Sequence, residues 1–347
     1  MRGTVSPSRG LVRCRRRPPS STLGLPQEHC RMHKPNTAKY HIKGDLSEKQ
    51  IEADVASFFG WCTPAELESP FRLLDIDEQV TGADKLFDCG SLIYIQFKKS
   101  TGLRSVSSVA PSTRKGRSPL EEVRIFRARE RLEDDPSLYF QLHARAKTAS
   151  DLQHNILLQY ERPPKSRGIY VAPLLLDKDA YHRALFTSSD RFRLDPFYYR
   201  LRHNLHTKRW IQHLGAVPFL REHVSIPPHE SVTDHNHYFA YSTTGTDISW
   251  HSPALVEGGP IRLSDFMVTT FRRAIDDRES MSTLEQLSIQ TLQVATKLGF
   301  STRDIAGNES PLSLLGSHAR WLKEVHNIRQ FVLLGNRERI AEVRNEA

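Results

Sequence analysis

The stretch Thr81–Ser100, TGADKLFDCGSLIYIQFKKS, constrains the fold more than any other part of this sequence. Its second half, Ser91–Lys99, is rich in β-branched and aromatic residues, which suit a pleated, buried surface. Strand side chains alternate between faces, so Ile93, Ile95 and Phe97 point one way while Gln96 and Lys98 point the other. The segment Asp84–Phe87 reads as a short preceding strand, with Asp88, Cys89 and Gly90 as the turn. The resulting β-hairpin is expected to bring Asp84 to the same end as Gln96 and Lys98. A polar pair backed by an apolar strand face is the arrangement an active site on a sheet rim requires.

Elements on either side support a sheet with helices. Ser47–Trp61 predicts a helix: Ser47 and Gln50 form a capping box, and Ile51, Val55, Phe58 and Phe59 form the apolar stripe. Glu48 and Glu52 lie one turn apart beside that stripe, where first-turn acids also complement the helix dipole. Phe71–Ile76 predicts a strand. Residues 101–119 read as a flexible basic loop carrying Arg104, Arg114, Lys115 and Arg117, suited to phosphate contacts or to plain solvation. A helix is expected over Leu120–Leu132, a strand over Leu138–His143, a helix over Ala149–Tyr160 with Gln153 and His154 on its first turns, and a strand over Ile169–Leu176. The last three read as a right-handed crossover packing a helix on the sheet. Tyr181–Thr207 has no clear period; its run Tyr198, Tyr199, Arg200, Arg202 offers stacking and phosphate-binding groups or an aromatic cluster with solvated arginines. Residues 211–226 read as strands with loops, His235–Ser242 as a strand, and 262–347 as mainly helical.

The net charge of +9 suggests nucleic acid, but its location weakens the inference. Residues 1–34 hold eight basic groups against Glu28 alone, +7 of the +9, which leaves residues 35–347 at +2. Any nucleic-acid surface on the body must come from local clustering. Residues 1–38 have no helical or strand periodicity and predict a disordered basic tail; a nucleic-acid arm, a targeting segment and a translation start at Met32 all stay open. Cys14, Cys30, Cys62 and Cys89 form no CxxC pair, which points to a reducing cytoplasm rather than a disulfide framework or zinc finger. No apolar run reaches the roughly 18 residues of a membrane span.

A helix bearing Glu52 (or Glu48), then GAD at Gly82–Asp84, then IQFK at Ile95–Lys98 resembles the PD-(D/E)xK, or restriction-endonuclease-like, superfamily in its Gln-x-Lys branch. The likeness spans residues 45–176. The stretch from Gln153-His154 through Tyr170–Leu176 to HNHYFAYS is similar to bacterial proteins of unassigned function built on such a core. The resemblance implies an α/β (α+β) fold: a restriction-endonuclease-like core with a mixed central sheet flanked by helices. The expected layout is a tail at 1–38, a nuclease-like core at 39–260 and a helical C-terminal region at 261–347.

By function, the resemblance implies a metal-dependent nuclease, acting on DNA in defence or mobile-element biology. Asp84 and the Gln96 amide oxygen would hold Mg²⁺ or Mn²⁺, which favour oxygen ligands. Lys98 would orient or deprotonate water and offset developing charge, and Glu52 would complete the metal shell or hold Lys98. Gln96 adds no charge to metal binding, so a degenerate module that binds nucleic acid or protein without cleavage stands as the alternative. A histidine-metal centre is a third reading: His229, His235, His237 and His251 cluster in sequence, and His235 and His237 would share a strand face.

Overall fold

A computed structural model describes residues 40–62, 70–76, 86–111, 116–132, 134–194, 217–250, 254–256, 261–301 and 309–345, with side chains 61–62, 188–194, 254 and 261 outside the description. The tail at 1–38, Asp84, Arg114, Lys115, the Tyr198–Arg202 run and His251 therefore lie outside the described residues. The strands are β1 (His41–Ile42), β2 (Phe71–Asp75), β3 (Cys89–Phe97), β4 (Thr101–Leu103), β5 (Ser137–Gln141), β6 (Ser166–Pro173) and β7 (His223–Ile226). They continue as β8 (Tyr238–Tyr241), β9 (Ile248–Trp250), β10 (Ala254–Leu255), β11 (Ile261–Arg262), β12 (Ser282–Thr283) and β13 (Arg329–Gly335). The helices are α1 (Glu48–Cys62), α2 (Pro119–Arg129), α3 (Gln153–Tyr160), α4 (Lys178–Leu194) and α5 (Pro218–Arg221). After them come α6 (Leu263–Asp276), α7 (Leu284–Lys297), α8 (Pro311–His326) and α9 (Arg337–Asn345).

These elements make a mixed α/β structure with two sheets. The larger runs β11-β7-β6-β3-β13-β2, with β12 added on β3; the smaller runs β1-β4-β5-β8-β9-β10. Among the described residues every strand pairing is antiparallel except β3 with β6. A parallel pair needs a long connection, and here that connection includes β4, α2, β5 and α3. β3 is buried along its whole length on both faces. Cys89, Ile93, Ile95 and Phe97 join a core with Ile51, Val55, Phe58 and Phe59 of α1 and with apolar residues of α6 and α9. Leu92 and Tyr94 join the opposite core, with α3, α7, α8 and the inward face of the smaller sheet. Burying one such aliphatic or aromatic side chain contributes roughly 1.5–3 kcal/mol, which explains why this strand lies at the centre.

Several expectations change. β3 takes its partners from elsewhere than the expected hairpin, whose Asp84 and Lys85 lie outside the described residues: β13 pairs with it from Cys89↔Gly335 to Ile95↔Arg329, and β6 from Leu92↔Ser166 to Phe97↔Val171. Leu86 and Phe87 are turn and coil, and Cys89 and Gly90 belong to the strand rather than to a turn. The described part of the C-terminal region is mainly helical, and its β13 fills the slot between β2 and β3, so residues 39–260 and 261–347 share one sheet. β5 lies in the smaller sheet and α3 leads into β6 of the larger one, so these three elements do not form a crossover within a single sheet. The basic loop begins with β4, and Arg124 donates to the carbonyls of Arg104, Ser105 and Val109, pinning its first part. Part of the aperiodic Tyr181–Thr207 stretch belongs to α4. Among the described residues no helix is long and apolar enough to cross a membrane.

Candidate functional site

Lys98 follows the last residue of β3, and its backbone N–H still bonds Val171 O at 2.9 Å. The strand's alternation therefore carries through it, and its side chain shares a face with Gln96, Tyr94 and Leu92. Both polar side chains are buried: Gln96 is 0% exposed and Lys98 1%. The Lys98 ammonium has no hydrogen-bond partner among the described residues, and neither does Oε1 of Gln96. Burial pushes the Lys98 pKa down to about 7, opposed by the charge of Glu48. The Lys98 Nζ lies 5.9 Å from the centre of the Tyr170 ring.

Glu48 opens α1 because Ser47 caps the helix, its hydroxyl accepting the Gln50 N–H at 3.2 Å. The capping box is only half made, since the Gln50 amide turns away to Asp54. Burial works to raise the Glu48 pKa, but the His143 side chain, the Lys98 charge and the Lys99 backbone N–H outweigh it and hold the carboxyl below its usual range. His143 Nε2 stands 3.4 Å from that carboxylate. Side-chain exposure is 25% at Glu48 and 41% at His143, so the cluster meets solvent on that side. Glu52, one turn along, is 3.2 Å from Arg329, which also pairs with Asp75. These three line a groove with Lys49, Arg72 and Lys323. Of the two glutamates left open by the sequence, Glu48 is the one whose charge acts on Lys98.

The other partners come from α3 and β6. Gln96 Nε2 donates to Gln153 Oε1, and Gln153 Nε2 donates to the carbonyls of His326 and, at 3.2 Å, Asn327. His154 Nε2 faces the carbonyls of His229 and Glu230 at 3.0 and 2.7 Å. Carbonyls only accept, so Nε2 holds the proton and Nδ1 accepts from the Tyr170 hydroxyl at 2.7 Å. Burial first, then the nearby positive groups, lower the His154 pKa, in keeping with a neutral ring. Sequence reasoning did not reach His143 or Tyr170. The polar pair Gln153-His154 at the head of a helix with Ile156, Leu157 and Tyr160 inward is the available signal for the inner partners.

Among the described residues no group of three His, Cys, Asp or Glu side chains is placed to hold a metal. The oxygen atoms that could serve a hard cation are the buried Gln96 Oε1, without a partner among the described residues, and the Glu48 carboxylate. The histidine centre is not formed by its described members. β8 begins at Tyr238, so His235 and His237 precede the strand instead of sharing its face. His237 stacks on Trp250 at 5.4 Å and lies 3.9 Å from Asp234, while His229 lies 3.5 Å from Glu230. No family model, curated protein or solved structure matches the chain.

Proposed function

We propose that the chain is a metal-dependent nuclease of the PD-(D/E)xK type that hydrolyses phosphodiester bonds in DNA. The observation that carries this reading is Lys98: a buried ammonium with no hydrogen-bond partner among the described residues, within reach of the charge of a first-turn glutamate and on the same face of a central strand as Gln96. Buried charges are normally paired, and strongly perturbed ones cluster at functional sites. In this reading Gln96 Oε1 and Asp84 hold Mg²⁺ or Mn²⁺, with Glu48 taking the helix-acid role first considered for Glu52. The ion, when bound, neutralises the scissile phosphate and acidifies water. Lys98 orients that water and offsets charge on the phosphate, and His143 holds the Glu48 carboxylate at the solvent side.

A second reading, a module that binds DNA without cutting, draws on Gln96, whose neutral amide contributes no charge and is bonded to Gln153. An assay of DNA cleavage with Mg²⁺ or Mn²⁺ separates the two. Wild type is expected to cleave, and Asp84→Ala and Lys98→Ala each to lose about 100-fold or more in rate. Equal cleavage by all three proteins removes the nuclease assignment. Salt-dependent DNA binding with no cleavage under either ion establishes the second reading.

A further inference from the structure

The amide of Gln96 has two chemically different ends, and only one of them suits a cation. The fold determines which end meets Gln153 and which is left over, and it does so from the backbone. α8 ends at His326 and is capped by Asn327, whose φ of 51° puts it in the left-handed region. The last carbonyls of a helix lack intrahelical donors, and those of His326 and Asn327 receive Gln153 Nε2. A carbonyl can only accept, so the NH₂ end of Gln153 must face α8 and its oxygen must face β3. An oxygen cannot bond an oxygen. Gln96 therefore turns its own NH₂ end to Gln153, and its Oε1 is left on the other side, buried and without a partner among the described residues.

We infer that Gln153 is a positioning residue: anchored to the α8 carbonyls, it fixes the Gln96 amide with its oxygen toward the site, so that a neutral side chain presents a divalent-cation ligand. This rests on the nuclease reading above. A glutamate at position 96 would present oxygen from either end and would need no such control. Without Gln153 the Gln96 amide is free to turn over and aim its NH₂ hydrogens at the cation.

The contrast gives a double-mutant cycle with Mn²⁺ alone as the probe, its free concentration followed by electron paramagnetic resonance on the full chain without DNA. Gln153→Leu is expected to weaken Mn²⁺ binding about 10- to 100-fold, the range for groups that orient metal ligands. In a Gln96→Glu background the same Gln153→Leu change should alter affinity less than about 3-fold, because the ligand no longer has a wrong end. Equal losses in both backgrounds would make Gln153 a merely structural residue and overturn the inference, as would an unchanged affinity in Gln153→Leu alone. If Gln153→Leu does not fold, Gln153→Met, which keeps the side-chain length, carries the same comparison. A folded wild type that binds no Mn²⁺ removes the metal-dependent nuclease reading and this inference together, whereas a binding wild type with an indifferent Gln153 removes the inference alone.

Discussion

Arg127 and Lys98 are both large cations buried to within 2% of full enclosure, and they are held in opposite ways. Arg127, on α2, lies 2.6 Å from Asp247. The Nη1 that faces Asp247 also reaches Ser249 Oγ at 3.2 Å and Ala240 O at 3.3 Å, while Nε donates to Ser137 Oγ at 3.3 Å and Nη2 to Leu132 O at 2.9 Å. The planar guanidinium spreads one charge over several partners and ties α2 to β5, β8 and β9. Lys98 has the same burial, a Glu48 charge nearby and no hydrogen bond to its ammonium among the described residues. A cation that is paired and bonded supports the fold, whereas one left bare opposes it. The difference teaches that burial alone does not mark a site; burial without partners does.

The largest effects that can break this contrast are on stability. Arg127→Leu leaves Asp247 and the Leu132 carbonyl without this donor and should cost about 3–5 kcal/mol, read as a lower urea midpoint. Lys98→Met removes a desolvated charge and should instead raise stability at pH 7, by ~2 kcal/mol or more, while abolishing cleavage. If the two substitutions move the midpoint in the same direction, the contrast between the two cations is wrong.

The same pair of proteins gives a pH test on metal-free samples. The folded Lys98 pKa is about 7 against an ordinary value of 10.5. Below pH 7 both states are protonated and the folded state bears the full burial penalty. Between pH 7 and 10.5 the unfolded chain still holds a proton that the folded chain has released, so stability rises with pH. Wild type should therefore gain on Lys98→Met as pH rises from 7, and the difference between them should close toward pH 10.5. Tyrosines titrating in that range are common to both proteins and cancel. A difference that stays constant with pH would place the Lys98 charge in solvent.

What the sequence disclosed and what it withheld follow from range. The alternation in Ser91–Phe97 and the stripe Ile51, Val55, Phe58, Phe59 are local patterns, and both end in the core as their spacing implies. The partner of β3 is not local. Cys89 pairs with Gly335, and no pattern near Cys89 names a strand almost at the other end of the chain. A hairpin was the nearest pairing the local pattern permitted. The burial of Gln96 and Lys98 has the same origin: alternation sets the two side chains on one face, and which distant elements cover that face is not written near them. His235 and His237 were read onto a strand that begins one residue after His237, where a one-residue boundary decides whether two side chains share a face.

Glu48 and Glu52 give the finest version of the comparison. Helical spacing sets them on one side of α1 and cannot choose between them. The fold does, by putting the Lys99 N–H, His143 and Lys98 around Glu48 and Arg329 beside Glu52. The Glu48 charge acts to raise the Lys98 pKa against the pull of burial. Glu48→Gln should thus displace the Lys98 titration downward in metal-free protein, and Glu52→Gln should leave it in place. The change in overall stability from Glu48→Gln should be small, about 1 kcal/mol or less, because the carboxylate is partly exposed. Nuclear magnetic resonance of labelled lysine Cε and Nζ follows the titration directly. A larger displacement from Glu52→Gln than from Glu48→Gln would return the helix-acid role to Glu52 and leave the bare ammonium without its nearest opposing charge.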